Sequence, residues 1–108
     1  MILSDVLDRL GELGDIPLCA GMHDYDRRYC AAAHMLMIVG AKGKFDDTGY
    51  NPYEEFKKRF GFEAAEVFYE IDYRHSTASD AARALRTHLA DRLDRTVQVS
   101  AEGSLHGV

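Results

Sequence analysis

Asn51-Pro52-Tyr53-Glu54-Glu55-Phe56-Lys57-Lys58-Arg59-Phe60-Gly61 is the stretch that decides the fold class. Every position in it suits one helix with a defined start and stop. Asparagine is a strong N-cap because its side-chain oxygen accepts an orphan amide of the first turn. Proline is tolerated at the next position, where its missing N–H would have no partner in the helix. Glu54 falls at the third helical position, as in a capping box. Tyr53, Phe56 and Phe60 recur at i, i+3 and i+7, the spacing of one buried face. Glu54–Lys58 and Glu55–Arg59 are i,i+4 pairs, ordinary on a helix surface. Gly61 suits the left-handed residue that closes a helix. The spacing predicts a helix over 52–60.

Helical patterns continue on both sides. Toward the C-terminus, Ala64, Val67, Phe68 and Ile71 share one face of a helix expected over 63–73. Glu63, Glu66, Glu70 and Arg74 share the opposite face, with Tyr69 and Tyr73 on the flank beside Glu66 and Glu70. A further helix starts at Thr77, an N-cap with Asp80 at the third position. Its stripe is Ala78, Ala82, Leu85, Leu89 and Leu93, its outward residues include Arg83 and Arg86, and it should end near Asp94. Residues 95–108 read as a tail, with a short alternating stretch at 96–100 and small polar residues that fray beyond it.

Toward the N-terminus, 40–50 is a loop of glycines and paired aspartates. Before it, Asp24–Val39 reads as the central helix, with an acidic first turn and Ala31-Ala32-Ala33 of high helix propensity. Its end, Met35-Leu36-Met37-Ile38-Val39, is apolar on every face, the mark of a buried helix. The first helix starts at Ser4, with Val6, Leu7, Leu10 and Leu13 at helical spacing and Gly14 as its stop. The expected architecture is all-α, a bundle of about five helices in a single domain over 1–94.

Composition supports this class. The length of 108 residues suits one domain, and 46% apolar residues with a mean hydropathy of −0.30 exclude disorder. No apolar run approaches the ~20 residues of a membrane span. No basic region precedes an apolar stretch at the N-terminus, as a signal peptide requires. Cys19 and Cys30 do not form a disulfide framework, so a cytoplasmic protein with reduced thiols is expected. The six tyrosines and five phenylalanines all fall between Tyr25 and Tyr73.

Several constellations could carry chemistry. Cys19-x3-His23 and Cys30-x3-His34 supply a zinc-type ligand set, although common fingers place their thiols two to four residues apart. Cys30 and His34 alone could form a nucleophile–base pair, which requires a cleft that a buried helix does not provide. Lys42 and Lys44 among the loop glycines lack the phosphate-loop pattern. Asp46-Asp47 lacks the alternating carboxylates of a calcium loop. A net charge of −5 argues against a nucleic-acid partner, because Arg83 and Arg86 are diluted by neighbouring acids.

A protein-binding surface fits better. Tyrosines beside charged residues are amphipathic anchors of the kind enriched in interfaces. Tyr25 and Tyr29 form one such pair. Tyr69 and Tyr73, set beside the unpaired-looking Glu66 and Glu70, form the other. The partner expected is another protein. A homodimer through the aromatic segment is compatible with this size. The competing classes are a zinc-stabilised or Cys/His catalytic domain and a DNA-binding accessory protein.

The stretch from Arg28 to Arg86 also resembles a type of small helical protein seen in actinobacteria, proteobacteria and their phages. The shared points are Cys30-Ala31-x-Ala33-His34, Asn51-Pro52-Tyr53-Glu54, Phe60-Gly61-Phe62 and the Thr-capped helix at Thr77–Leu85. That type often carries a Gly where Ala33 stands and an Asn-Asp pair near Arg74-His75. It has no assigned activity, so the resemblance implies a helical fold. Together with the chain's small size it suggests one concrete function. That function is a phage or mobile-element inhibitor of a bacterial defence system, such as an anti-CRISPR, acting by occlusion.

Overall fold

A computed structural model describes residues 1–19, 30–40, 51–72 and 76–99. Among these the chain is all-α: α1 (Leu3–Glu12), α2 (Ala31–Ile38), α3 (Pro52–Phe60), α4 (Ala65–Phe68) and α5 (Ala78–His88), then a 3-10 turn at Ala90–Arg92. No helix of the described residues is long and apolar enough to cross a membrane.

The frame is the pair α1 and α5, antiparallel and capped by each other's flanking chain. The first amides of a helix have no intrahelical acceptor. For α1 they go to the segment after α5: Leu3 N–H donates to the Arg95 carbonyl at 2.9 Å and Ser4 N–H to that of Leu93 at 2.8 Å. For α5 they go to the segment after α1: Ala78 N–H reaches the Ile16 carbonyl and Ser79 N–H that of Gly14, both at 3.0 Å. Thr77 adds the expected side-chain cap, accepting from Asp80 N–H. Gly11 of α1 lies against Ala82 of α5, where an added Cβ would stand 3.5 Å from the alanine's own. Leu3, Val6, Leu7 and Leu10 meet Ala78, Ala81, Ala82, Leu85 and Leu89 in the core. Each fully buried leucine contributes about 1.5–3 kcal/mol over its exposed state.

Arg86 was expected to point outward. It is half-buried and ties α5 to the start of α1, donating to the Ser4 carbonyl and hydroxyl, both at 3.2 Å, and pairing with the Asp8 carboxylate. The chain past Asp94 continues to pack. Thr96 bridges Ile2, Val97 N–H donates to the Met1 carbonyl, and the Val97 side chain is buried. The expectations for 100–108 lie outside the described residues.

α2 is the buried helix the sequence predicts, with Ala31, Ala32, Ala33, Met35 and Leu36 out of water. Its start differs. Cys30 is extended (φ −73°, ψ 168°) and acts as N-cap, its sulfur accepting the Ala33 amide at 3.3 Å. The helix therefore begins at Ala31 instead of Asp24, and residues 24–29 lie outside the described residues. α3 has the predicted bounds. Asn51 Oδ1 accepts from Tyr53 N–H at 3.0 Å and Glu54 N–H at 3.3 Å, and Gly61 adopts φ +82°. Arg59 pairs with Glu55 and also donates to the Val39 and Gln98 carbonyls, joining α3 to the end of α2 and to the C-terminal segment.

α4 is one turn, against the expected helix over 63–73. Its N-cap, Ala64, offers no side-chain acceptor, and its ends tighten into three-residue turns at Glu66→Glu63 and Glu70→Val67. A lone turn fixes several dihedrals for few hydrogen bonds and cannot hold itself. Packing of Val67 and Ile71 into the core and of Phe68 against it sets where it forms. The helix after Thr77 is likewise shorter than expected. Leu89 (φ −102°, ψ 23°) ends the α-helix, and a 3-10 turn carries the chain to Arg92.

Candidate interaction face on the fourth helix

The solvent face of α4 and its C-terminal turn presents Glu66, Tyr69 and Glu70. Tyr69 is 86% exposed, the most exposed of the large hydrophobic side chains among the described residues. Its neighbour Phe68 turns inward and meets the ring of Tyr53 on α3 edge-on, with centroids 5.8 Å apart at 74°. Tyr53 is 45% exposed, and its contact with Phe68 joins α3 to the residue that precedes Tyr69.

The two glutamates are paired, contrary to the sequence expectation. Glu66 Oε1 lies 2.8 Å from Arg92 Nη1. Glu70 Oε1 lies 3.3 Å from His88 Nδ1, and His88 Nε2 stands 3.7 Å from Glu66 Oε1. Arg92 also approaches Asp91 at 3.3 Å, and its guanidinium sits 5.2 Å over the Phe62 ring. Its hydrogen bond to Glu66 raises its proton affinity above the ordinary arginine value. These side chains are partly exposed, from 20% for Arg92 to 74% for Asp91, so each contact is worth tenths of a kcal/mol up to about 1. Their effect is geometric. They pull the glutamates back onto α5 and the 3-10 turn after it and leave Tyr69, between them in sequence, projecting outward.

His88 and Arg92 were not singled out from the sequence, but a signal for them exists. They are four residues apart on the flank of the leucine stripe, and Glu66 and Glu70 are four apart on α4. Glu66 and Glu70 on one element and His88 and Arg92 on another, each pair four residues apart, are spaced to meet where the two elements approach. Tyr73, Tyr25 and Tyr29 lie outside the described residues.

The Cys/His constellation has a different character. Cys30 is fully buried, and burial pushes its thiol up to about 12, against the smaller lowering from the Ala33 and Ala32 amides. A thiol held protonated at neutral pH is no nucleophile. Cys19 is half-buried and near enough to Cys30 to disfavour a second negative charge there. Burial lowers the proton affinity of His34. His23 lies outside the described residues, and among those described no three His, Cys, Asp or Glu side chains converge as metal ligands.

Comparison of the chain with protein-family models, with curated proteins and with solved structures finds no match.

Proposed function

We propose that this protein is a small, non-enzymatic binding module that docks on another protein through the α4 face, with Tyr69 as the central anchor. The observation that carries the reading is the setting of Tyr69. It is 86% exposed on a single turn whose flanking glutamates are both tied back to α5 and its 3-10 extension. Tyrosine supplies a large amphipathic contact at low entropic cost, and a fixed backbone lowers that cost further. The contact of Phe68 with Tyr53 ties the turn that carries Tyr69 to α3. A bound module of this size would act by occlusion. Inhibition of a bacterial defence system is the concrete form that small size and the resemblance suggest.

The test is site-specific photocrosslinking. A photoreactive phenylalanine replaces Tyr69 in one variant and Arg83, which is exposed on α5, in another. Extracts of the source cell are irradiated with each. The expected result is one protein crosslinked from position 69 and absent from position 83. Excess wild-type chain should compete it away, and excess Tyr69→Ala should not. Equal crosslinking from both positions, or full competition by Tyr69→Ala, would overturn the reading. A second copy of the chain captured at position 69 would identify the partner as a homodimer.

A further inference from the structure

Docking through Tyr69 brings the glutamates on either side of it into the same contact. Glu66 lies three residues before the tyrosine and Glu70 directly after it, with side chains 35% and 41% exposed. Their partners among the described residues, His88 and Arg92, stand on α5 and the 3-10 turn after it. A docked surface would cover what remains of both carboxylates. Removing that part from water costs free energy unless the arriving surface supplies donors or cations. An apolar or acidic partner would gain the Tyr69 ring and lose that gain at the glutamates. The surrounding charge has the same sign. From Glu63 to Arg74 the sequence holds the acids Glu63, Glu66, Glu70 and Asp72 and one base, Arg74. Other elements add Lys57, 3.0 Å from Glu63, and Arg92, which is shared with Asp91. Carboxylates still outnumber lysines and arginines, so the field around the ring favours a positive partner. The acids of α1 lack the ring: Asp8 is paired with Arg86, and the helix carries no aromatic residue.

Arginine meets both demands with one side chain. Its guanidinium is flat and permanently charged, stacks on an aromatic face and donates to carboxylates from its rim. The chain already makes this arrangement internally, where the Arg92 guanidinium lies 5.2 Å over the Phe62 ring while its Nη1 stands 2.8 Å from Glu66 Oε1. We propose that the partner of the α4 face is a basic protein surface, and that an arginine from it stacks on Tyr69 with the flanking carboxylates as acceptors. A chain seated there would compete with any acidic ligand of that surface. The assignment of the partner surface rests on the reading of Tyr69 given above.

The test titrates the full purified chain, labelled with nitrogen-15, with short peptides of alternating Arg-Gly, Lys-Gly and Gln-Gly at low salt. Amide shifts should saturate with the Arg-Gly peptide and centre on the turn around Tyr69. The Lys-Gly peptide should bind there more weakly, because an ammonium has no flat face to stack, and the Gln-Gly peptide should leave the turn unchanged. Tyr69→Ala should weaken the Arg-Gly affinity about threefold, the value of an exposed cation–π contact, whereas Tyr69→Phe, which keeps the ring, should bind as wild type does. Glu70→Gln should weaken it about twofold, as loss of an exposed charge pair does. Circular dichroism checks that each variant keeps its helix content. Shifts centred on the acids of α1, equal affinity of wild type and Tyr69→Ala, or Lys-Gly binding as tight as Arg-Gly would overturn the proposal. Position-specific crosslinking from residue 69 together with an Arg-Gly peptide that ignores the turn would remove the arginine and leave Tyr69 as the anchor. Loss of that crosslinking specificity would remove the anchor itself.

Discussion

Replacing Phe56 by Ala tests whether the aromatic segment of the chain is core or surface. The Phe56 ring is fully buried, stacks on Phe60 with centroids 4.4 Å apart at 26°, and receives Phe62 edge-on at 5.5 Å and 79°. Truncating a buried phenylalanine costs about 3–5 kcal/mol through lost transfer energy and the cavity left behind. The two ring contacts, each worth about 0.5–1.5 kcal/mol beyond area, place this site at the upper end. A chain of this length has a total stability of about 5–16 kcal/mol, so the variant should be severely weakened. Tyr53→Ala is the matched control. It lies on the same helix and gains the same alanine, so the propensity change is nearly shared. It loses the edge contact to Phe68 and part of the burial of a side chain 45% exposed, and should cost about 1 kcal/mol. Urea unfolding followed by circular dichroism reads both, with stability compared only where the slope is unchanged. If Phe56→Ala is unfolded outright, Phe56→Leu keeps the comparison open at a smaller cost. Midpoints that shift equally for the variants at 53 and 56 would refute the division of this segment into a buried trio and an exposed edge.

Four further outcomes follow from the same structure. Asn51→Ala removes the acceptor for two α3 amides and should cost about 1 kcal/mol in urea unfolding. Gly61→Ala forces φ +82° on a residue with a side chain, with a cost of about 1–2 kcal/mol. Its new Cβ would also press on Arg95 Nη1 at 3.2 Å, which an arginine can relieve by moving. In thiol labelling of the native protein followed by mass spectrometry, Cys19 should react well before Cys30, and Cys30 should label only on unfolding, because burial holds it near 12. Equal labelling rates would show that Cys30 is not shielded. For His34, burial lowers the folded proton affinity below the ordinary value of 6.5. The unfolded chain then binds the proton first, so the His34 contribution is complete above about pH 6.5 and is lost as the pH falls toward the folded value. The stability of His34→Gln should fall less over that range than that of wild type, and a steeper fall would reverse the sign assigned here.

The parts of the fold that could be read from sequence are those whose determinants are local. α3 matches its predicted bounds because its start and stop lie in its own cap residues, Asn51 and Gly61. The sequence pattern starts α1 at Ser4. The structure starts it at Leu3 because carbonyls more than eighty residues away, at Leu93 and Arg95, accept its amides. No local pattern carries that information. α4 fails for the opposite reason. Its apolar spacing is helical over eight positions, from Ala64 to Ile71, but without a side-chain cap at its start the regular turn persists only where packing enforces it. Glu66 and Glu70 seemed unpaired because their partners, His88 and Arg92, sit on another element. A search for i,i+4 partners within a helix cannot find pairs made between helices.

That arrangement separates folding from recognition at the proposed face, and the separation can be measured. If Tyr69 contributed to the core, its loss would weaken both. At 86% exposure, with its neighbours held by their own contacts, Tyr69→Ala should leave stability within about 0.5 kcal/mol of wild type, as for other surface changes. Glu66→Gln is different. It removes the charge that Arg92 and His88 both face, so it should lower stability by a few tenths of a kcal/mol to about 1 and loosen the turn that carries Tyr69. A binding surface held by pairs outside the contact itself predicts an ordering. Tyr69→Ala should cost affinity without stability, and Glu66→Gln should cost some of each. Equal thermal loss in the two variants would mean that Tyr69 packs against the fold, and the anchor would then have to be sought elsewhere.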